Sequence, residues 1–220
     1  MPKSRRKKIL VLAALAPVLA LGLYSAWILL NASRQTPQIM EQAHRQYWAP
    51  LRPEDLPPQR LHALLAVEDP GFYTHHGVDL TTPGAGYTTI TQGLVKHFYF
   101  EHFHPGLAKW KQSLIALVFD HQVSKPDQLH LYLNSVYLGN WQGREVYGFD
   151  AAARAYFNKP FAQLSDKEFL SLVAMVVGPN EFHVRNHPDR NEDRVARIQR
   201  LLAGACKPDG LADVYYKNCK

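Results

Sequence analysis

The stretch LAKWKQSLIALVFDHQVSKPDQLHLYLNSVYLG, Leu107–Gly139, is the clearest indicator of the fold class. Its first half repeats apolar residues at helical spacing, with polar residues at steps of three to four along another face. The apolar side carries Leu107, Trp110, Leu114, Ile115, Leu117 and Val118. Ser124 and Asp127 then form a capping box, and the intervening proline is tolerated in a first helical turn. The stretch therefore predicts two consecutive helices.

The same start and stop signals recur along the rest of the chain. A second capping box, Ser165 with Glu168, precedes the apolar run FLSLVAMVV. The predicted helices outside the first stretch are Arg60–Val67, the segment from Ser165 to Gly178, and roughly 192–202 before Gly204. No stretch alternates for long enough to predict a sheet. The predicted fold class is mainly α.

The N-terminus is basic and is followed by a long apolar run. Residues 9–30 are 22 residues without a charge, which is enough to span a bilayer at about 1.5 Å per residue. A cleaved signal peptide is the alternative, but its apolar region is usually about 7 to 15 residues long. We expect an uncleaved transmembrane helix with the basic end in the cytoplasm and the bulk of the protein outside it.

The charge distribution argues against a nucleic-acid partner. The chain has 25 Lys+Arg and 19 Asp+Glu, a net charge of +6. Five of the basic residues lie within residues 3–8, which leaves 20 against 19, or +1, for residues 31–220. A domain that reads phosphate backbones would keep a basic face there.

The chain divides into five predicted parts. They are a cytoplasmic tail (1–8), a transmembrane helix (9–30), a juxtamembrane segment (31–59), a main domain (60–205) and a C-terminal tail (206–220). Cys206 and Cys219 enclose 12 residues near the C-terminus, and either a disulfide or two unrelated thiols fits that spacing. The histidines at 97, 102 and 104 have no recognisable ligand spacing, so we predict no metal site.

Two adjacent carboxylates, Glu68 and Asp69, stand where the first predicted helix meets Pro70-Gly71. A carboxylate at such a reversal can face a cleft, although a pair of solvated loop acids is the simpler interpretation. The segment 88–100 follows closely and gathers hydroxyls, an amide and Lys96. These groups suit a ligand rich in hydroxyls and phosphates, because they donate and accept hydrogen bonds without a metal.

Four motifs in order carry a family resemblance over about residues 60–178. The first, E-D-x-x-F-x-x-H-x-G, is matched by Glu68, Asp69, Phe72, His75 and Gly77. The second, G-x-[ST]-T-I-T-Q-x-x-x-K, is matched by Gly86, Thr88, Thr89, Ile90, Thr91, Gln92 and Lys96. The third, K-x-x-x-L-x-x-Y-L-N, is matched by Lys125, Leu129, Tyr132, Leu133 and Asn134, and the last by Gly148, Ala152, Tyr156, Phe157 and Lys159. The chain resembles the peptidoglycan glycosyltransferases of family 51.

The resemblance implies a lysozyme-like, mainly α domain behind one N-terminal transmembrane helix, at the outer face of the bacterial cytoplasmic (inner) membrane. Members of that family polymerise lipid II into β-1,4 glycan strands with inversion and release undecaprenyl diphosphate. They require no cofactor, although a divalent cation such as Mg at the diphosphate is compatible with the chemistry. The implied partners are lipid II, nascent glycan and the membrane. S-x-x-K occurs only at Ser4–Lys7, so we expect a separate transpeptidase.

The resemblance also implies roles for individual residues. Glu68 corresponds to the general base, which the attacking sugar hydroxyl requires. Gln112 falls where the family has a second catalytic glutamate. The implied substrate-binding residues are Asp69, His75, Thr89, Gln92, Lys96, Lys109, Lys125, Tyr132 and Asn134. Of these, Lys96 and Lys109 would bind the diphosphate, while Asp69 and His75 could equally fix the loop that carries the base.

Departures from the family pattern keep two alternatives open. Only LTTPGAGY separates Asp79 from Thr88, where the family has some tens of residues, so we expect a more open donor side. An amide at Gln112 cannot transfer a proton. The chain could therefore be a weak or inactive relative that binds lipid II or glycan and regulates cell-wall synthesis. A hydrolase with Glu68 as acid and Asp79 as its partner is the third interpretation.

Overall fold

The computed structural model describes residues 3–47 and 51–219, and gives the backbone alone for residues 3–14. The helices are α1 (Lys3–Gln46), α2 (Pro58–Glu68), α3 (Ile90–Tyr99), α4 (Leu107–Gln122), α5 (Lys125–Ser135), α6 (Phe149–Phe157), α7 (Asp166–Val176) and α8 (Pro188–Leu202). Two 3-10 turns lie at Pro53–Asp55 and Phe161–Gln163, and strands β1 (Tyr137–Trp141) and β2 (Arg144–Tyr147) form a hairpin. The mainly α fold class is confirmed.

The N-terminal helix is longer than the apolar run predicts. It continues through the first part of the predicted juxtamembrane segment to Gln46, and its C-terminal half packs against α4. Ile28, Ala32 and Thr36 are buried on that side, and Gln122 of α4 donates to Ser33 Oγ at 2.8 Å. Among the described residues, α1 is the helix that is long and apolar enough to cross a membrane.

Helix α7 lies at the centre of the main domain. Its residues Leu172, Val173, Ala174 and Met175 are fully buried, because nearly every position of FLSLVAMVV is apolar and such a helix must be surrounded on all sides. Helices α2, α6 and α8 pack against it, while α4 and α5 both pack against α3 beside it. The two groups meet where α2 ends, and that junction positions the site described below.

The helix starts follow the capping signals in the sequence. Ser165 accepts from the Glu168 N–H and completes the predicted capping box of α7, and Ser124 caps α5 by accepting from the Asp127 N–H at 3.3 Å. Helix α8 begins at Pro188, earlier than predicted, because proline suits a first helical turn where its missing N–H costs nothing.

The β1–β2 hairpin was not predicted, and the expectation of a chain without a sheet is wrong at this point. The strands pair antiparallel and have only 5 and 4 residues, too short for an alternating pattern to stand out. Gln142 and Gly143 join them with φ of 53° and 80°. Positive φ at both positions is typical of the tight turn that matches strand twist.

Candidate active site

A cavity of about 590 Å³ opens where α2, α3, α5, α7 and the C-terminal segment meet. Its walls include Glu68, Thr89, Lys96, Tyr132, Arg194 and Val214. A second cavity of about 500 Å³ along α3 and α5 shares Lys96, Tyr132 and Tyr137 with the first. The two cavities therefore form one cleft, with a carboxylate at one end and an aromatic wall containing Phe100 and Phe103 at the other.

Glu68 is the last residue of α2 and faces the cavity. Burial raises the pKa of its carboxyl to about 7 from an ordinary value of 4.5. The positive charge of Arg194 and a hydrogen bond from the Tyr132 hydroxyl, 3.4 Å from Oε2, act in the opposite direction. A carboxyl with a pKa near neutral pH can take up a proton and release it again, which suits a general base.

Asp69 and His75 fix the loop that follows Glu68. The His75 Nδ1 accepts from the Gly77 N–H at 3.0 Å, so its Nε2 carries the proton and donates to Asp69 at 2.9 Å. Asp69 is fully buried and also accepts from the Ile90 N–H at 2.9 Å. These contacts tie the loop after the carboxylate to the start of α3, and neither side chain lines the cavity.

Thr89 and Gln92 build the N-terminus of α3. The Thr89 hydroxyl accepts from the Gln92 N–H at 3.1 Å and donates to Gly77 O at 2.7 Å. Gln92 completes the capping box by accepting from the Thr89 N–H, and its amide donates to Ser113 on α4 at 3.0 Å. Thr89 borders the cavity, whereas Gln92 is buried behind it. The motif residues thus anchor the helix that presents Lys96.

Two lysines give this side of the cleft its positive charge. Lys96 lines both cavities, and Lys109 Nζ donates to the hydroxyl of Thr88, a cavity-lining residue, at 3.0 Å. Burial and then the charge of Lys96 lower the pKa of Lys109 to about 8. Two cationic side chains on the same side of the cleft suit a bound anion.

Three further predicted site residues, Gln112, Lys125 and Asn134, also lie outside the cavity lining. Gln112 is buried between α3 and α4, where its Nε2 donates to Gln92 O at 2.7 Å and its Oε1 has no partner. Lys125 pairs with Asp120 at 2.6 Å. Asn134 donates to two backbone carbonyls, at 2.7 and 2.8 Å. In these positions they brace the helices around the cleft.

The acid that the hydrolase interpretation requires is engaged elsewhere. Although burial acts to raise it, hydrogen bonds from Thr82 and Thr81 lower the pKa of Asp79 to about 2. Its Oδ1 accepts from both backbone N–H groups, at 2.8 and 3.0 Å, and the residue is outside the cavity lining. Asp79 therefore stabilises a turn and does not partner Glu68.

Arg194, Val214 and Tyr216 lie at or behind the cavity and were not predicted from the sequence. Arg194 is buried on α8, where its charge influences the Glu68 pKa. A signal existed, because Asn191, Arg194, Val195 and Ile198 follow one helical face and all four are buried. Val214 and Tyr216 belong to the C-terminal segment, which packs beside Gly84–Gly86. The connection that is shorter than in the family is thus covered by chain from the far end of the sequence, which carries no local signal for that contact.

Cys206 and Cys219 form a disulfide, so one of the two interpretations left open by their spacing is correct. Within the part of the chain that the structure describes, no group of three His, Cys, Asp or Glu side chains could hold a metal ion. The charged side chains at the cavity fit a bound cation poorly, because Glu68 shares the space with Lys96 and Arg194.

Comparison with known proteins identifies the family that this chain matches. The transglycosylase family model matches residues 34–203. Penicillin-binding protein 1F of Bacillus subtilis is 35% identical over 166 residues, 70% of this chain and 23% of that protein. Penicillin-binding protein 1A of Pseudomonas aeruginosa is 32% identical over 158 residues, 66% of this chain and 19% of that protein. Penicillin-binding protein 1B of Escherichia coli is 34% identical over 152 residues, 63% and 18% respectively. The chain thus spans less than a quarter of the length of these relatives.

Proposed function

The chain belongs to the transglycosylase family, and from this premise we propose that it is a peptidoglycan glycosyltransferase that polymerises lipid II. The observation that carries the proposal is the Glu68 carboxyl, held in the cavity with a pKa of about 7. Lys96 borders the same space, with Lys109 beside it. A base and a cationic wall facing one cavity are what a sugar transfer from a diphosphate demands.

In the proposed reaction the 4-hydroxyl of one disaccharide attacks C1 of the other with inversion. The Glu68 carboxylate takes the hydroxyl proton as the new O–C1 bond forms. The bond from C1 to the diphosphate oxygen breaks, and the electron pair leaves with undecaprenyl diphosphate. Lys96 and Lys109 stabilise the negative charge that accumulates on that group. Thr89, Gln92, Asp69 and His75 contribute by fixing the helix start and the loop on which these groups stand.

The proposed location follows from the chemistry of the substrate and from α1. A polyprenyl-linked donor stays in the membrane, and α1 is long and apolar enough to cross one. The lysines and arginines at its start favour a cytoplasmic N-terminus and a catalytic domain outside the cytoplasm. Protease protection in spheroplasts checks this orientation, since residues 51–219 should be cleaved from outside. Cross-linking of the glycan would then fall to a separate transpeptidase.

The second candidate is a relative that binds lipid II or glycan without polymerising it. The observation in its favour is Gln112, an amide where the family has a carboxylate. The buried contact from Gln112 to Gln92 O gives the amide a function of its own, because a carboxylate cannot donate to a carbonyl oxygen. This contact gives position 112 a structural role, in which Gln112 braces α3 against α4, so the amide does not by itself favour an inactive protein.

Product analysis on lipid II separates the candidates. The full-length protein is solubilised in detergent and incubated with labelled lipid II, and the products are separated by size. Long glycan chains support the polymerase. Intact lipid II that co-purifies with the protein would support the binding relative, and shortened sugars would support a hydrolase.

A further inference from the structure

The segment closed by the Cys206–Cys219 disulfide packs beside the candidate active site, a contact that the sequence does not predict. It leaves α8, crosses the short connection that precedes α3 and returns to the end of α8. The N–H groups of Gly84 and Gly86 donate to Gly210 O and Leu211 O, at 2.9 and 2.8 Å. These two hydrogen bonds join the segment to the connection between Asp79 and Thr88, which is shorter than in other members of the family.

Both glycines permit this close approach. Their φ angles are +79° and +69°, a region that favours glycine. A Cβ at Gly84 would lie 2.7 Å from Pro208 Cγ, and one at Gly86 would lie 2.7 Å from Val214 Cγ1. Any side chain at either position would push the segment away. Val214 lines the cavity, so the contact at Gly86 helps to form the cavity wall.

Tyr216 connects the segment to the proposed base. It is fully buried, and its hydroxyl donates to Val67 O at 2.8 Å. Val67 immediately precedes Glu68, and the last four carbonyls of a helix have no partner within it. Tyr216 therefore supplies a partner for a carbonyl at the end of α2, one residue before the carboxylate.

The segment also holds Arg194. The Arg194 guanidinium donates to Val214 O at 2.8 Å and lies over the rings of Tyr215 and Tyr216, at 5.8 and 5.5 Å. A further hydrogen bond to Ala174 O, at 3.1 Å, comes from α7. Much of the environment that fixes this buried cation thus belongs to the disulfide-closed segment.

We infer that the segment Cys206–Cys219 is a positioning element for Glu68, which completes the cavity wall and fixes the end of α2 through Tyr216. The inference rests on the proposed role of Glu68 as the base. The disulfide matters because residues 207–218 contain no helix or strand that could hold the segment in place by itself. Closing the loop restricts the conformations open to it and favours the docked one.

The pKa of Glu68 provides a test of this inference, because general destabilisation of the fold would not change it. The charged or titratable groups that face it are Asp69, Lys96, Tyr132, Arg194 and Tyr216. Of these, Arg194 lowers the Glu68 pKa by its charge and Asp69 raises it. Release of the segment would both admit water to Glu68 and loosen Arg194. Burial has the larger effect on the Glu68 pKa, so the pKa would fall and the acid limb of the activity profile would move to lower pH.

The test compares pH profiles of lipid II polymerisation for the full-length, detergent-solubilised protein and three variants. Cys206→Ser/Cys219→Ser should shift the acid limb to lower pH by about 0.5 pH unit, and kcat on the plateau should fall because the end of α2 is held less firmly. Tyr216→Phe keeps the ring beside Arg194 and should shift the limb in the same direction by less. Ala205→Ser/Asn218→Ser changes exposed neighbours of the cysteines, retains the disulfide and should match the native protein.

If the cysteine variant does not fold, the same test can be made on the native protein. Its hydrogen exchange is measured before and after reduction of the disulfide with a phosphine. Reduction should increase exchange at residues 64–72 and 84–86, shift the acid limb, and be reversed by reoxidation. An active protein whose acid limb does not move on reduction would overturn this inference alone. A native protein that is silent on lipid II would overturn the proposed function instead.

Discussion

The Tyr132 hydroxyl lies 3.4 Å from Glu68 Oε2, and this contact joins the middle of α5 to the last residue of α2. Both residues line the cavity. The hydrogen bond stabilises the ionised carboxylate and so opposes the effect of burial on its pKa. Tyr132 therefore favours the ionised form of Glu68, beside the larger effects of burial and of Arg194.

Tyr132→Phe removes this hydrogen bond and keeps the ring. We expect the Glu68 pKa to rise, so that the acid limb of kcat/KM moves to higher pH and the rate at pH 7 falls, by up to about tenfold for one pKa unit. The measurement is a pH profile of lipid II polymerisation. Tyr147→Phe, on β2 and outside the cleft lining, is the matched control. An unchanged acid limb in a folded Tyr132→Phe protein would contradict the role of Tyr132.

The pH dependence of the native protein should be a narrow bell. Glu68, with its pKa of about 7, acts as a base only above that pH, and Lys109, with its pKa of about 8, carries charge only below it. Activity should thus fall on either side of the interval between about 7 and 8. Lys109→Arg keeps the charge at higher pH and should move the alkaline limb upward, whereas Lys111→Arg on the same helix should not. An alkaline limb that stays in place in Lys109→Arg would show that Lys109 does not determine it.

Glu68 should also lower the stability of the fold at high pH. The Glu68 pKa is about 7 in the folded protein and 4.5 in the unfolded chain. Below pH 4.5 the carboxyl is protonated in both the folded and the unfolded state, so it has little effect on stability. Between pH 4.5 and 7 the unfolded chain ionises more readily, so the free energy of unfolding falls as the pH rises. Glu68→Gln should therefore raise the free energy of unfolding by roughly 3 kcal/mol at pH 8 and by little at pH 4. Thermal denaturation across this pH range is the measurement. An equal change in the free energy of unfolding at both pH values would mean that burial does not raise the Glu68 pKa.

Gln112→Glu tests whether the amide is a lost catalytic group or a structural one. The new carboxylate would face Gln92 O without a proton to donate, in a buried position. We expect no gain in polymerisation and a loss of stability of about 1–3 kcal/mol. Gln112→Met, which introduces no charge, should cost less. Activity that rises in Gln112→Glu would instead support the weak or inactive binding relative.

Much of the helical framework could be predicted because its signals are local. Ser165 and Glu168 cap α7 through atoms three residues apart, and the first predicted helix ends within one residue of the observed Glu68. Glu68, Thr89, Lys96 and Tyr132 could be assigned to the site because their motifs occur in a recognisable order, and the structure brings these four to one cavity.

What could not be predicted depends on contacts between distant parts of the chain. The hydroxyl of Tyr216 meets a carbonyl 149 positions earlier, and Gly86 approaches Val214 from the other side of the domain. Neither contact leaves a periodic or capping pattern in the sequence. Gln112 shows a related limit, because its correspondence to a family glutamate suggests the reaction centre, whereas its burial depends on how α3 packs against α4.

The most direct test of the account is polymerisation of lipid II by the native protein and by Glu68→Gln, side by side in the same detergent. The substitution keeps the size of the side chain and removes the base, so the account predicts long glycan chains from the native protein and a rate lower by about 10² to 10⁴ from the variant. Circular dichroism and binding of lipid II confirm that the variant is folded. Polymerisation by Glu68→Gln at the native rate would contradict the account.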